Sequence, residues 1–169
     1  TISLNSYSFN MLNLLSNTCK KEFIDVGIAE ETAVVMAASL ALSKVKPYVF
    51  VYSTFLQRAY DEILHDVARP NLPVVFCIDR ASIIDADGDT HQGLYDLSFF
   101  NLVPNLVIMS PKNFSELEMM MDFALVLERP VVIRYPRGSE NEINVKDKSL
   151  KLGISEEILN GNDISIVTL

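Results

Sequence analysis

Five short runs rich in Val, Ile, Phe and Tyr are separated by segments whose apolar residues recur at helical spacing, and this alternation constrains the fold more than any other feature. The runs are FIDV at residues 23–26, YVFVY at 48–52, VVFCI at 74–78, LVIM at 106–109 and PVVIR at 130–134. YVFVY shows no polar alternation, as expected of a strand covered on both faces. Strands alternating with helices over short connections predict an α/β fold: a doubly wound, mainly parallel sheet with helices on both faces and right-handed crossovers. Ligands of such sheets bind outside the carboxyl ends of the strands.

The stretch FIDVGIAEETAVVMAASLAL at 23–42 holds one such unit. Gly27 permits a tight turn after the strand, and Glu30 and Glu31 fall where a helix should begin. Acidic residues suit the positive end of a helix dipole, so these carboxylates have a structural explanation beside any functional one. Val34, Val35, Ala38 and Leu42 are the expected sheet-facing side. Ser53 or Thr54 can cap a second helix running to about Ala68, with Phe55, Ala59, Ile63 and Val67 on one face. A third helix is expected to begin at Ser110 and Pro111, with Phe114, Leu117, Met121 and Leu125 apolar and the run Met119, Met120, Met121 filling core. Residues 1–22 are the least readable, with MLNLL at 11–15 suggesting a helix.

Just past the expected strand ends lie Glu30, the segment 52–58, Asp79 and Arg80, the loop 81–93, and Arg137. One edge thus collects a carboxylate, two aromatics, several arginines and a histidine. The loop is too long for a mere connection. Its Asp85, Asp87 and Asp89, with Asp96 at the twelfth place, invite a calcium-loop reading. However, Thr90 stands where that motif needs Gly, and a strand precedes instead of a helix, so no metal site is expected here. His91 lies in this loop, whereas His65 falls within a helix and reads as structural. The signatures of serine hydrolases, zinc proteases, P-loops and dinucleotide folds are missing from the sequence.

A chain of 169 residues, 49% of them hydrophobic, can bury one full core and fits one domain with some extra. A net charge of -8 argues against nucleic-acid or anionic-membrane partners, which need accumulated Lys and Arg. Cys19 and Cys77 lack metal-ligand spacing and read as reduced thiols of an intracellular protein. No apolar run reaches membrane-spanning length.

The segment DVGIAEETAV at 25–34 resembles the helix-start motif of the pyrimidine-binding domain of transketolase-like thiamine diphosphate enzymes. YSTFLQRAYDEILHDV at 52–67, IDRASIIDADGDTHQG at 78–93 and RYPRG at 134–138 narrow the resemblance to the 1-deoxy-D-xylulose-5-phosphate synthase family. The resemblance implies a condensation of pyruvate with glyceraldehyde 3-phosphate and loss of CO2, the first step of non-mevalonate isoprenoid biosynthesis. It further implies that Glu30 bonds the aminopyrimidine ring nitrogen of thiamine diphosphate and that Phe55 stacks on that ring. Arg80 and Arg137 would bind the aldehyde's phosphate, with Tyr52 and Asp87 near the substrates and His91 assisting proton transfer, so that Glu30, His91 and Asp87 are the catalytic candidates. Arg58 matches a family position too, and a structural ion pair explains it equally well.

By the same resemblance residues 1–140 form the pyrimidine-binding domain, 141–162 a polar linker, and 163–169 the first strand of the family's C-terminal domain. The N-terminal diphosphate-binding domain, which in the family holds Mg2+ and the diphosphate, has no counterpart here, so the isolated chain is expected to be inactive. The family implies a homodimer and, given the pathway, bacterial cytoplasm or the stroma of a plastid or apicoplast. Thr32, Glu31 and Asp85 depart from the family's customary His, Gln and Gly, and DVGIAEET reads locally like an ordinary transketolase. A transketolase, the β subunit of a 2-oxo acid dehydrogenase, or a non-catalytic module keeping the fold are the alternatives.

Overall fold

A computed structural model of the chain describes residues 2–3, 21–85, 87–139 and 149–167. It contains the strands β1 (Ile2–Ser3), β2 (Ile24–Asp25), β3 (Tyr48–Tyr52), β4 (Val75–Asp79), β5 (Val107–Met109) and β6 (Val131–Arg134). These form one parallel sheet of six strands in the order β2-β1-β3-β4-β6-β5. The α/β architecture expected from the alternation is therefore the one that forms. β1 lies between β2 and β3, although its two residues are too few to show a period. The helix expected at 11–15, and Cys19, lie outside the described residues.

Successive strand residues point to opposite faces. Val49, Val51, Phe76, Ile78 and Val132 accordingly pack against α1 (Glu30–Leu42) and the helical run over 53–68. Phe50, Val75, Cys77, Val131 and Ile133 instead meet Met120 and Ala124 of a helix on the other face. Each layer is closed by helices, so the sheet interior is apolar on both sides.

Three helix expectations are corrected. In α1 the buried residues are Ala33, Val34, Ala37, Ala38 and Ala41 with Glu30, while Val35 is 45% and Leu42 70% exposed. A row of alanines at i, i+4 lets the helix axis approach the sheet, and Val35 and Leu42 turn outward. The run over 53–68 is not one regular helix: α2 (Ser53–Leu56) passes through a 3-10 turn (Gln57–Ala59) and α3 (Tyr60–Glu62) into a π-helical turn (Ile63–Ala68). Tyr52 is its N-cap but makes no side-chain capping bond to the helix, and Ser53 is buried inside the first turn rather than capping it. Ala59, Ile63 and Val67 are buried as expected, with Phe55 packed against that core from its margin.

After α4 (Asp96–Phe100), the last helix, α5 (Phe114–Val126), starts later than Ser110 and Pro111 because Asn113 caps it. The Asn113 side chain accepts the Glu116 N–H at 2.7 Å, and the Glu116 carboxylate accepts the Lys112 N–H at 2.8 Å. These two bonds, a variant of the capping box in which Glu116 reaches back to the residue before the cap, fix the helix start. The inward stripe is then Leu117, Met120, Met121 and Ala124, leaving Phe114 and Leu125 exposed.

Arg134, the last residue of β6, is buried against Asp96, with Nε donating to Oδ2 at 3.0 Å and Nη2 to Oδ1 at 3.2 Å. Residues 149–167 carry no helix or strand. Leu150 nonetheless packs on the α5 face of the sheet, and Glu156 approaches Lys112 at 2.8 Å. Of the strand expected at 163–169, residues 163–167 are described; they join no strand of this sheet, and Ile164, Ile166 and Val167 are exposed. Among the described residues no helix is long and apolar enough to cross a membrane.

Candidate active site

The carboxyl ends of β3, β4 and β6 lie side by side, because Tyr52 is in register with Asp79 and Ile78 with Arg134. Beyond the strands the alignment continues, with Tyr135 N–H donating to Ile78 O at 3.0 Å and Ala81 N–H to Tyr135 O at 3.1 Å. Whatever follows each strand therefore emerges into one region.

Glu30 enters it from β2. Asp25 accepts the Gly27 N–H at 2.9 Å, Gly27 takes φ +68°, and Glu30 becomes the first residue of α1, only 2% exposed. Its Oε1 lies 3.6 Å from Arg58 Nη1. Arg58 sits beside the Phe55 ring, 5.9 Å from its centroid; Phe55 stacks on Tyr52 at 5.4 Å and meets His91 edge-on at 5.2 Å. Arg80 lies over Tyr52, and its Nε donates to Asp87 Oδ2 at 2.6 Å. Arg137 Nη1 donates to the other oxygen, Oδ1, at 2.7 Å. Glu30, Phe55, His91, Tyr52, Arg80, Asp87 and Arg137 are thus joined in one continuous series of contacts, with Arg58 as the link to Glu30. His65 takes no part; it is exposed, 3.6 Å from Asp61.

The loop carrying Asp87 and His91 is built rather than loose. Ser82 and Gly93 close its base by exchanging backbone bonds of 2.8 and 2.9 Å. Gly93 passes so near β4's end that a Cβ there would meet Arg80 O at 2.3 Å. Within the loop, the Gln92 carboxamide accepts from Ile84 N–H at 2.6 Å and donates to Ile84 O, Asp87 O and Gly88 O at 2.9, 3.1 and 3.2 Å. A side chain that imitates a strand neighbour thereby satisfies backbone that has no sheet to join. His91 N–H donates to Gly88 O at 3.0 Å, and its Nδ1 is 3.0 Å from Thr90 Oγ1.

Charge is balanced in this region, with Arg80 and Arg137 facing Asp79 and Asp87. Burial lifts the Asp79 carboxyl to about 6, against the opposing pull of the Arg80 N–H and guanidinium. Burial would lower the Arg80 pKa, but contact with Tyr52, Asp79 and Asp87 outweighs it and the guanidinium stays charged. Asp87 and Asp96, which the calcium-loop reading placed together, are committed to different arginines. Among the described residues no group of three or more His, Cys, Asp or Glu is arranged to hold a metal ion. Chemically, the arrangement offers a buried carboxylate beside aromatic rings, an imidazole, and an arginine pair suited to an anion.

A sequence profile described as transketolase, pyrimidine binding domain, matches residues 4–141. The chain belongs to the transketolase pyrimidine-binding domain family. The family match begins well before the first segment in which the resemblance is readable, residue 25. The chain is 50% identical over 157 residues to "1-deoxy-D-xylulose-5-phosphate synthase" of Clostridium tetani, covering 92% of this chain and 25% of that protein. It is 51% identical over 148 residues to the protein of the same name from Caldanaerobacter subterraneus, covering 87% of this chain and 24% of that one. The chain thus spans about a quarter of the length of the curated relatives it matches. Among solved structures it is similar to "Split gene transketolase, inactive beta4 tetramer", with a TM-score of 0.75 and 23% identity over 89% of this chain and 49% of that one, a likeness of fold.

Asp79, Gln92 and Asp96 are structural members of this region to which the sequence assigned no site role, although Asp79 and Gln92 lie within the segment 78–93. Asp79 offers one signal, a charged residue ending an otherwise apolar strand. Gln92 offers another, an amide inside a long loop whose backbone needs partners.

Proposed function

We propose that this chain supplies the pyrimidine-binding half of the active site of a thiamine diphosphate-dependent enzyme that condenses pyruvate with glyceraldehyde 3-phosphate to 1-deoxy-D-xylulose 5-phosphate, releasing CO2. The observation that carries the reading is the unbroken contact series from Glu30 through Phe55 and Tyr52 to Arg80, Asp87 and Arg137. The names of the relatives, near 50% identity, favour this reaction over a sugar-phosphate transfer.

The residues present fit the cofactor's pyrimidine. Glu30 is a carboxylate out of water at a helix start, and Phe55 is a partly buried ring in the same contact series. Bound there with Mg2+, thiamine diphosphate supplies the nucleophilic carbon that decarboxylation of a 2-oxo acid requires. Glu30 holds a proton with the ring nitrogen of the aminopyrimidine, and Phe55 covers the ring. Arg80 and Arg137 bind the phosphate of the aldehyde, which they can do with forked, permanently charged groups. Arg137 is well placed for this because its side chain is 42% exposed. His91, held edge-on by Phe55, moves the proton at the acceptor carbonyl oxygen, with Asp87 and Tyr52 lining the substrate side.

The metal and diphosphate belong to the diphosphate-binding domain, the segment at 163–169 would pair within a C-terminal domain, and the assembly is a homodimer. The reaction would take place in the bacterial cytoplasm, or in the stroma of a plastid or apicoplast.

The test uses the full-length protein with thiamine diphosphate and Mg2+. Pyruvate plus glyceraldehyde 3-phosphate should yield CO2 and deoxyxylulose phosphate, and Glu30→Gln should abolish both. Turnover only of transketolase sugar phosphates would replace this reading, and unchanged turnover in Glu30→Gln would remove the role given to Glu30.

A further inference from the structure

Arg80 has a backbone φ of +55°, in the left-handed region that residues other than Gly seldom occupy. Such a conformation persists only where its surroundings hold it. The preceding residue does so from both ends. Asp79 Oδ1 accepts the Arg80 N–H at 2.7 Å, and Asp79 Oδ2 lies 3.4 Å from Arg80 Nη1. Both residues are only 6% exposed, and Asp79 is itself fixed by the register of Tyr52 against it.

We infer that Asp79 is the positioning residue of the anion site, setting the backbone turn and guanidinium direction with which Arg80 meets a phosphate. The inference rests on the phosphate-binding role proposed above for Arg80. Geometry supplies the reason. Turned left-handed, Arg80 sends its guanidinium back over the Tyr52 ring, where Asp87 and Arg137 meet it. With an ordinary φ the chain and the Arg80 side chain would leave β4 in another direction, away from the arrangement in which Nε meets Asp87. Asp79 touches neither cofactor nor substrate in this scheme; it acts through Arg80.

The full-length protein carrying Asp79→Ala or Asp79→Asn tests this. Asparagine keeps a side-chain oxygen for the Arg80 N–H, and alanine keeps none. Asp79→Ala should raise the KM for glyceraldehyde 3-phosphate by roughly tenfold or more, as expected when a charge-assisted bond is lost, with the KM for pyruvate little changed. Asp79→Asn should stay within about threefold of wild type, since a neutral acceptor retains part of that bond. Unphosphorylated glyceraldehyde should not distinguish the variants. Equal losses in both variants, or an equal loss with the unphosphorylated aldehyde, would overturn the inference.

Two readouts do not depend on turnover. Exchange of the Arg80 amide hydrogen should be as slow in Asp79→Asn as in wild type, and an amide that exchanges freely there counts against the inference even if the alanine variant fails to fold. Calorimetric binding of inorganic phosphate should weaken in Asp79→Ala and not in Asp79→Asn. If the wild-type protein makes no deoxyxylulose phosphate, the functional reading fails while these two measurements still decide the role of Asp79.

Discussion

The guanidinium of Arg80 lies over the ring of Tyr52, its central carbon 3.8 Å from the ring centroid. The contact joins the end of β3 to the end of β4, whose residues Tyr52 and Asp79 are in register. A cation over an aromatic face is worth about 0.5–2 kcal/mol. Tyr52→Ala is therefore expected to weaken acceptor binding by roughly 3- to 30-fold. Tyr52→Phe, which keeps the ring, should lose less. Steady-state KM values for glyceraldehyde 3-phosphate in the full-length protein check this.

The pair Asp96 and Arg134 predicts an effect on stability. Removing one partner of a buried pair leaves a charge without compensation, at a cost of about 3–5 kcal/mol. Asp96→Ala should therefore unfold at markedly lower denaturant concentration, whereas replacing both partners by apolar residues of similar size should recover much of the loss. Urea unfolding followed by amide exchange at β6 measures it.

Asp79 predicts a pH dependence with a definite sign. Its carboxyl titrates near 3.8 unfolded and at about 6 folded. Between those values the folded chain holds a proton that the unfolded chain has released, so stability falls as pH rises through the window, by at most ~1.4 kcal/mol per pH unit. Below the window this group has no effect, and above it the loss is complete. Asp79→Asn should flatten that part of the stability curve, which thermal unfolding between pH 4 and pH 7 can follow.

Gly93→Ala should displace the loop. The added methyl would press on Arg80 O and Ala81 Cα, which are backbone atoms and cannot swing aside. A loss of ~1–3 kcal/mol is expected from overpacking, together with lowered turnover, because Asp87 and His91 ride on the same loop. Thiamine diphosphate affinity should change less than turnover, since Glu30 comes from another segment and the methyl reaches the Phe55 turn only at the Ser53 hydroxyl. Turnover equal to that of wild type would contradict the tight approach seen at Gly93.

The sheet was legible in the sequence because its central strands are long apolar runs, and the candidate site because its residues follow those runs directly. What sequence did not disclose depends on side-chain competition. Val35 and Leu42 fit a helical stripe, but the alanines of α1 offer a closer approach to the sheet. Phe114 fits a stripe as well, until the Asn113 cap fixes the start of α5. β1 is too short to show a period. Asp87 is singled out in the sequence only by resemblance, and no spacing discloses its two arginine partners at residues 80 and 137.

The contact series between Glu30 and Arg137 also bears on the order in which the chain can assemble. Its members enter from three separate crossovers and, last, from the segment after β6, which carries Arg137. Contacts between segments this remote in sequence form late, because long loops must close first. A chain emerging from the ribosome can make the local contacts of Tyr52 with Phe55 and of Arg80 with Asp87 early, and the series reaches Arg137 only when β6 has taken its place between β4 and β5.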